Sequence, residues 1–158
     1  KMIMSIIPAY SEEEISGIAQ AADTASTIGK RNLAIILVAY RTGLRGIDII
    51  GIKLSDIDWH NHKVSVVQSK THTPIVSELN GATLNALADY ILDWRPKCDI
   101  PEIFVTVKAP YSVSKTVKGI WQKDSRVRPQ CGQFTVNLRK IVRFYSDYIL
   151  WFTAKMQD

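Results

Sequence analysis

Apolar residues follow two different rhythms along this chain. Up to about residue 54, and again over 84–94, they recur three and four positions apart, as on one face of a helix. Over 63–79 they alternate with polar residues, as in half-buried strands. The helical rhythm predicts a first helix over about 11–22. Its start is a capping box, Ser11-Glu12-Glu13-Glu14: the Ser11 hydroxyl can accept the third amide while Glu14 reaches back to the Ser11 amide. Residues 27–30 break the pattern, with Gly29 read as a stop. A second helix over 31–42 is apolar on nearly every face, which predicts a buried central helix. Gly43 fits a helix C-cap. A short third helix follows, with Ile47, Ile50 and Leu54 expected on one anchoring face.

In the alternating segment, Val64, Val66 and Gln68 interleave with Ser65, Val67 and Ser69, and 73–79 is again β-prone. Lys70-Thr71-His72-Thr73 lies between the two runs and reads as a hairpin tip. Asn80-Gly81 ends the second strand. Leu84, Leu87, Ala88, Ile91 and Leu92 then predict a helix up to Trp94, closed by Pro96. Residues 103–107 read as a short strand or extended piece. Ser112 or Ser114 is expected to open another helix through Val117, Ile120 and Trp121, and 134–156 one or two more. The expected fold is mainly α with a small antiparallel β-hairpin or sheet, an α+β domain taking up residues 1–158.

Composition fits an ordinary globular chain: 158 residues, 46% hydrophobic, 22% charged. The longest apolar run, 33–40, is too short to cross a bilayer, which takes roughly 20 residues, so no membrane partner is expected. Lys1-Met2-Ile3-Met4 runs into Pro8 and a helix start rather than a secretory leader. Cys98 and Cys131 have no metal-ligand spacing, which favours a reduced, cytoplasmic setting. His60, His62 and His72 are the only histidines. The first two, with Asp56 and Asp58 nearby, read as decoration of a turn rather than a metal site. The net charge of +5 is uneven: residues 108–143 carry nine basic residues against Asp124 alone. That bias favours a polyanion, because each neutralised phosphate releases counterions.

One stretch does not fit a purely structural reading. Thr42-Gly43-Leu44-Arg45 puts an arginine inside an aliphatic run, followed by Asp48 and then Leu54-Ser55-Asp56-Ile57-Asp58-Trp59. This string resembles the first active-site motif of the tyrosine recombinases of the phage integrase family, roughly T-G-x-R-x-x-E with a later D-I-D. Val66-Val67-Gln68-Ser69-Lys70-Thr71 is similar to the hairpin whose tip carries that family's catalytic lysine, and Ser112-Val113-Ser114-Lys115 is similar to the stretch before its next helix. The likeness covers about residues 10–122.

The resemblance implies Arg45 as the first catalytic arginine, Asp48 as its support and Lys70 as the hairpin lysine. Further on, Val136-Asn137-Leu138-Arg139-Lys140 resembles the family's H-x-L-R string with valine in the histidine's place, making Arg139 the candidate second arginine. Lys115, Lys118, Arg126, Arg128 and Lys140 are the expected DNA-binding set. The family's nucleophilic tyrosine would fall past Asp158. Tyr145 and Tyr148 come too early and read as packing residues, so the expected domain lacks its nucleophile segment and the N-terminal DNA-binding domains. The implied function is site-specific DNA strand cleavage and rejoining on double-stranded DNA, with self-association on that DNA and no metal or other cofactor. Two rival readings stand beside it: a catalytically inactive DNA-binding remnant of an integrase, and a helical interaction protein with a solvated basic face.

Overall fold

The computed structural model describes residues 12–21 and 24–115. In chain order it holds α1 (Glu12–Ala21), α2 (Thr27–Thr42), α3 (Gly46–Ile50), a 3-10 turn (Leu54–Asp56), β1 (Ile57–Asp58), β2 (Lys63–Val67), β3 (Pro74–Glu78) and α4 (Gly81–Asp89). The last turn, Tyr90–Trp94, continues α4 with π-helical bonding. The fold is mainly helical with one small antiparallel sheet, in strand order β1-β2-β3. Ser11, Lys118, Arg126, Arg128, Val136, Arg139, Lys140, Tyr145 and Tyr148 lie outside the described residues.

The core is built around α2. Ala34, Ile35, Ile36, Val38 and Ala39 are all buried, as the all-round apolar pattern predicts. Ala34, Ile35, Val38 and Ala39 share one cluster with Leu84, Leu87, Tyr90, Ile103 and Phe104. Tyr90 and Phe104 are fully buried, their rings stacked with centroids 6.0 Å apart. Each fully buried Ile, Leu or Phe contributes roughly 1.5–3 kcal/mol relative to exposure. The helix begins earlier than expected, however. The Ser26 hydroxyl accepts the Gly29 amide at 3.1 Å, and that cap starts α2 at Thr27. Gly29 is therefore a buried first-turn residue and not a stop, because a good N-cap offsets the ~1 kcal/mol that glycine costs.

Around the sheet, two expectations change. Ile57 pairs with Val64 and Asp58 with Lys63, which adds a third strand to the expected hairpin. The α3 face is also different. Ile49 and Ile52 are buried, whereas Ile47 is 61% and Leu54 38% exposed. The expected stripe needs a helix through residue 54, but α3 is a single turn that ends at Gly51, so only Ile50 of the three predicted anchors is buried. Asn80, read as the end of β3, also caps α4: its side chain accepts from the Thr83 amide at 3.0 Å.

Residues 103–105 form the back of the core. Ile103 donates its amide to Ile52 and Leu54 donates to Pro101, each at 2.9 Å, so this extended piece docks directly behind α3. Val105 bridges Val113, and the Ser114 amide returns to the Phe104 carbonyl at 2.9 Å. Ser112 and Ser114 thus lie in extended chain. The Ser112 amide donates to the Thr106 hydroxyl at 3.0 Å, and the expected helix through Val117, Ile120 and Trp121, like those over 134–156, lies outside the described residues. Arg95 holds the loop before this piece, donating to the carbonyls of Ile100, Glu102 and Ile103 at 2.6, 3.0 and 3.1 Å.

Candidate active site

The candidate site begins at the end of α2. The Thr42 hydroxyl donates to the Val38 carbonyl at 2.7 Å and accepts the Leu44 amide at 3.3 Å. Gly43 then takes φ 64°, a left-handed conformation that costs a side-chain-bearing residue about 1–2 kcal/mol, and its amide closes on the Ala39 carbonyl. The Thr-Gly-Leu string is therefore a hard stop that turns the chain. Arg45 follows with extended dihedrals and sits at the N-cap of α3, where its carbonyl receives the Asp48 and Ile49 amides. The arginine is held by backbone on both sides, and its side chain is only partly buried.

Asp48 is 3% exposed, the one buried charged residue among those described. It was expected to support the Arg45 guanidinium. Instead, its Oδ1 accepts two hydrogen bonds from Ser69, one from the amide and one from the hydroxyl, each 2.8 Å long. No ion pair joins Arg45 to Asp48 among the described residues. Asp48 supports α3 by tying it to the hairpin, 21 residues away in sequence. Among the described residues, Arg45 Nη1 and Asp48 Oδ2 are buried and have no hydrogen-bond partner. Leaving such groups unmatched costs about 1–3 kcal/mol each, so this corner holds an unspent donor and an unspent acceptor three residues apart in sequence.

The hairpin presents Lys70. Strands β2 and β3 pair from Lys63 opposite Glu78 to Val67 opposite Pro74, which puts residues 68–73 at the tip. Gln68 closes the neck: its amide donates to Thr73 and its carbonyl accepts from His72. The Thr71 hydroxyl donates to the Gln68 side chain at 2.8 Å. Lys70 is exposed at this tip, immediately after the residue that Asp48 grips. Lys115 is exposed as well, at the end of the described chain. The remaining basic candidates, Lys118, Arg126, Arg128, Arg139 and Lys140, fall outside the described residues.

Ser69 is the residue that sequence reasoning missed. It stands in the quoted hairpin string, but neither periodicity nor local spacing links it to Asp48. The histidine pair turns out as the bland reading had it. His60 and His62 are exposed in the β1–β2 turn. That turn is folded by Asp58, which accepts the His60 and Asn61 amides and the Asn61 side chain. Asp56 is likewise engaged, accepting the Lys53 amide at 2.9 Å. Among the described residues, no three His, Cys, Asp or Glu side chains gather in a way that could hold a metal ion. No described helix is long and apolar enough to cross a membrane.

The result is a helical body with an arginine at the α2–α3 turn, tied to a β-hairpin with a lysine at its tip. XerA recombinase has a closely similar solved structure, with a TM-score of 0.71 at 19% identity over 95% of this chain and 51% of that one. XerH site-specific recombinase, solved bound to difH substrate, follows at a TM-score of 0.57 and 16% identity, over 92% of this chain and 45% of that one. The chain belongs to the phage integrase family, whose sequence profile matches residues 9–126. Among curated relatives, y4rF of Sinorhizobium fredii, provisionally named an integrase/recombinase, is 36% identical over 86 residues, 54% of this chain and 20% of its own length. Tyrosine recombinase XerC 2 of Ralstonia nicotianae is 30% identical over 99 residues, 61% of this chain and 28% of its own length. This chain therefore spans only about a fifth to a quarter of those two relatives.

Proposed function

We propose that the chain supplies half of the active site of a site-specific DNA recombinase of the integrase type. Strand cleavage and rejoining is phosphoryl transfer, in which charge gathers on the non-bridging oxygens. Arg45, permanently protonated and with Nη1 unspent, is suited to bind those oxygens. Lys70, exposed on the hairpin tip, is suited to give a proton to the departing 5′ oxygen. Arg139 would complete the cationic clamp, and a tyrosine past Asp158 would be the nucleophile, storing bond energy as a 3′-phosphotyrosine. Lys115, Lys118, Arg126, Arg128 and Lys140 would hold duplex DNA, on which copies of the protein would associate. The observation that carries this reading is the Asp48–Ser69 contact, because it joins the element bearing Arg45 to the tip bearing Lys70.

A second reading is favoured by one residue. Val136 stands where the family carries a histidine, and valine can neither move a proton nor bond a phosphate. In that reading the basic face binds DNA and cleaves nothing. Two experiments separate the readings. Affinity for duplex DNA should fall steeply with salt, with a log–log slope of about −0.9 per phosphate neutralised; a flat response would remove DNA from the picture. On a nicked duplex that traps the covalent product, the full-length protein should form an adduct that survives denaturation, and Arg45→Ala should abolish it while keeping most DNA affinity. DNA binding with no adduct at saturating protein would establish the inactive remnant instead.

A further inference from the structure

The hairpin tip is tied to the body of the molecule through one residue. Among the described residues, every other hydrogen bond made by residues 68–73 stays within the tip: Gln68 with Thr73, His72 with Gln68, Thr71 with Gln68, and Thr73 with Thr71. Only Ser69 reaches outward, and it does so twice, with amide and hydroxyl converging on the same buried oxygen of Asp48. Two donors on one rigid acceptor fix both the position of the Ser69 backbone and its rotation. The next residue is Lys70. A long side chain on an exposed tip would otherwise sample many positions, since its own rotamers and the hairpin hinge both stay free.

We propose that Ser69 is the positioning residue for Lys70: its clasp on Asp48 aims the hairpin lysine at the phosphate held by Arg45. This rests on the reading of Lys70 as a DNA-facing group. The clasp also explains why an acid should follow Arg45 by one helical turn without pairing with it. The carboxylate serves the lysine's element, leaving the guanidinium free for a ligand. Ser69 does not touch DNA in this scheme and acts only through Lys70.

Lysine footprinting on duplex DNA tests the idea. Reductive methylation, read residue by residue by mass spectrometry, reports which amines are shielded when DNA is bound. In the parent protein Lys70 should be shielded at least about 5-fold relative to the free protein. Ser69→Ala should lose that shielding at Lys70 while Lys115 stays shielded, with overall DNA affinity changed less than about 3-fold. Ser69→Thr, which keeps the hydroxyl, should restore it. A purely structural role would move Lys115 and the affinity as well, or would not be rescued by threonine. Full shielding of Lys70 in Ser69→Ala would overturn the positioning role. Absence of shielding at Lys70 in the parent, with Lys115 shielded, would overturn the assignment of Lys70 and the clasp with it. No DNA binding by the parent at low salt would reject the recombinase reading itself, and with it any lysine for Ser69 to aim.

Discussion

The two turns of the small sheet are built with the same chemistry and reach very different distances. Between β1 and β2, the Asp58 carboxylate gathers the amides of His60 and Asn61 and the Asn61 side chain, all within three residues. Between β2 and β3, a carboxylate again accepts an amide and a side chain, but it is Asp48, 21 residues upstream and 3% exposed. Each turn also holds a histidine at positive φ, 56° for His62 and 53° for His72. In the first turn the carboxylate serves only its own neighbours, and the tie that leaves the turn is backbone, from the Leu79 amide to the His62 carbonyl at 2.8 Å. The second takes its position from α3, so whatever moves Arg45 also moves Lys70. The difference separates two similar exposed turns, and only the second carries a residue of the proposed site.

The comparison can be broken most severely at Asp48. Asp48→Ala removes a buried acceptor of two hydrogen bonds and should cost about 2–4 kcal/mol of unfolding free energy, read from urea denaturation. If the loss matched that of Asp58→Ala, the two turns would be equivalent and the long-range tie unimportant. A smaller effect is expected at the junction that aims α3. Gly43→Ala forces a side chain into the left-handed region and should cost about 1–2 kcal/mol, measured the same way. It should also displace Arg45 relative to the hairpin, visible as faster hydrogen exchange at the Ser69 amide.

The smallest effect is expected at Asp58, and its size depends on pH. Hydrogen bonds from Asn61, chiefly the side chain, hold this carboxyl below its ordinary value of 3.8. A depressed folded-state value means the contribution is fully present above the unfolded value and fades as pH falls through the folded one. The gap in melting temperature between the parent and Asp58→Ala should therefore be small and constant above about pH 5. It should close progressively below pH 3.8. A gap that widened on acidification would mean the turn is held by something other than this carboxylate.

The sequence was most informative where the controlling interactions are local. The Gly43 cap, the buried α2 and the hairpin with Lys70 at its tip follow from periodicity and turn chemistry, and the structure shows each of them. Reading went wrong where a neighbour outside the window decides. Gly29 looks like a helix stop until the Ser26 hydroxyl caps it. Ile47 and Leu54 look like anchors until α3 ends after one turn and leaves them in solvent. Strand β1 has two residues, too few to alternate visibly, and exists because β2 is there to pair with it. Asp48 shows the limit best. Its spacing from Arg45 suggests an ion pair one turn apart, and no local pattern could reveal that Ser69, beyond two strands, takes it instead. A buried carboxylate gains more from two fixed donors on a tethered hairpin than from a flexible cation half in water.

The handling of Arg95 has a consequence for how such a protein could be released from its target. Its guanidinium donates to the carbonyls of Ile100, Glu102 and Ile103 and, among the described residues, pairs with no carboxylate, and Arg31 likewise donates to the Val105 carbonyl. Dipoles of this kind are buried with their donor and feel little of the ionic atmosphere, whereas contacts between exposed cations and a polyanion are screened within about 10 Å at 0.1 M salt. Rising ionic strength would then act selectively. It would strip the surface of its bound anion while the arginines that wind the loop behind α3 keep their grip, so the chain could let go without loosening.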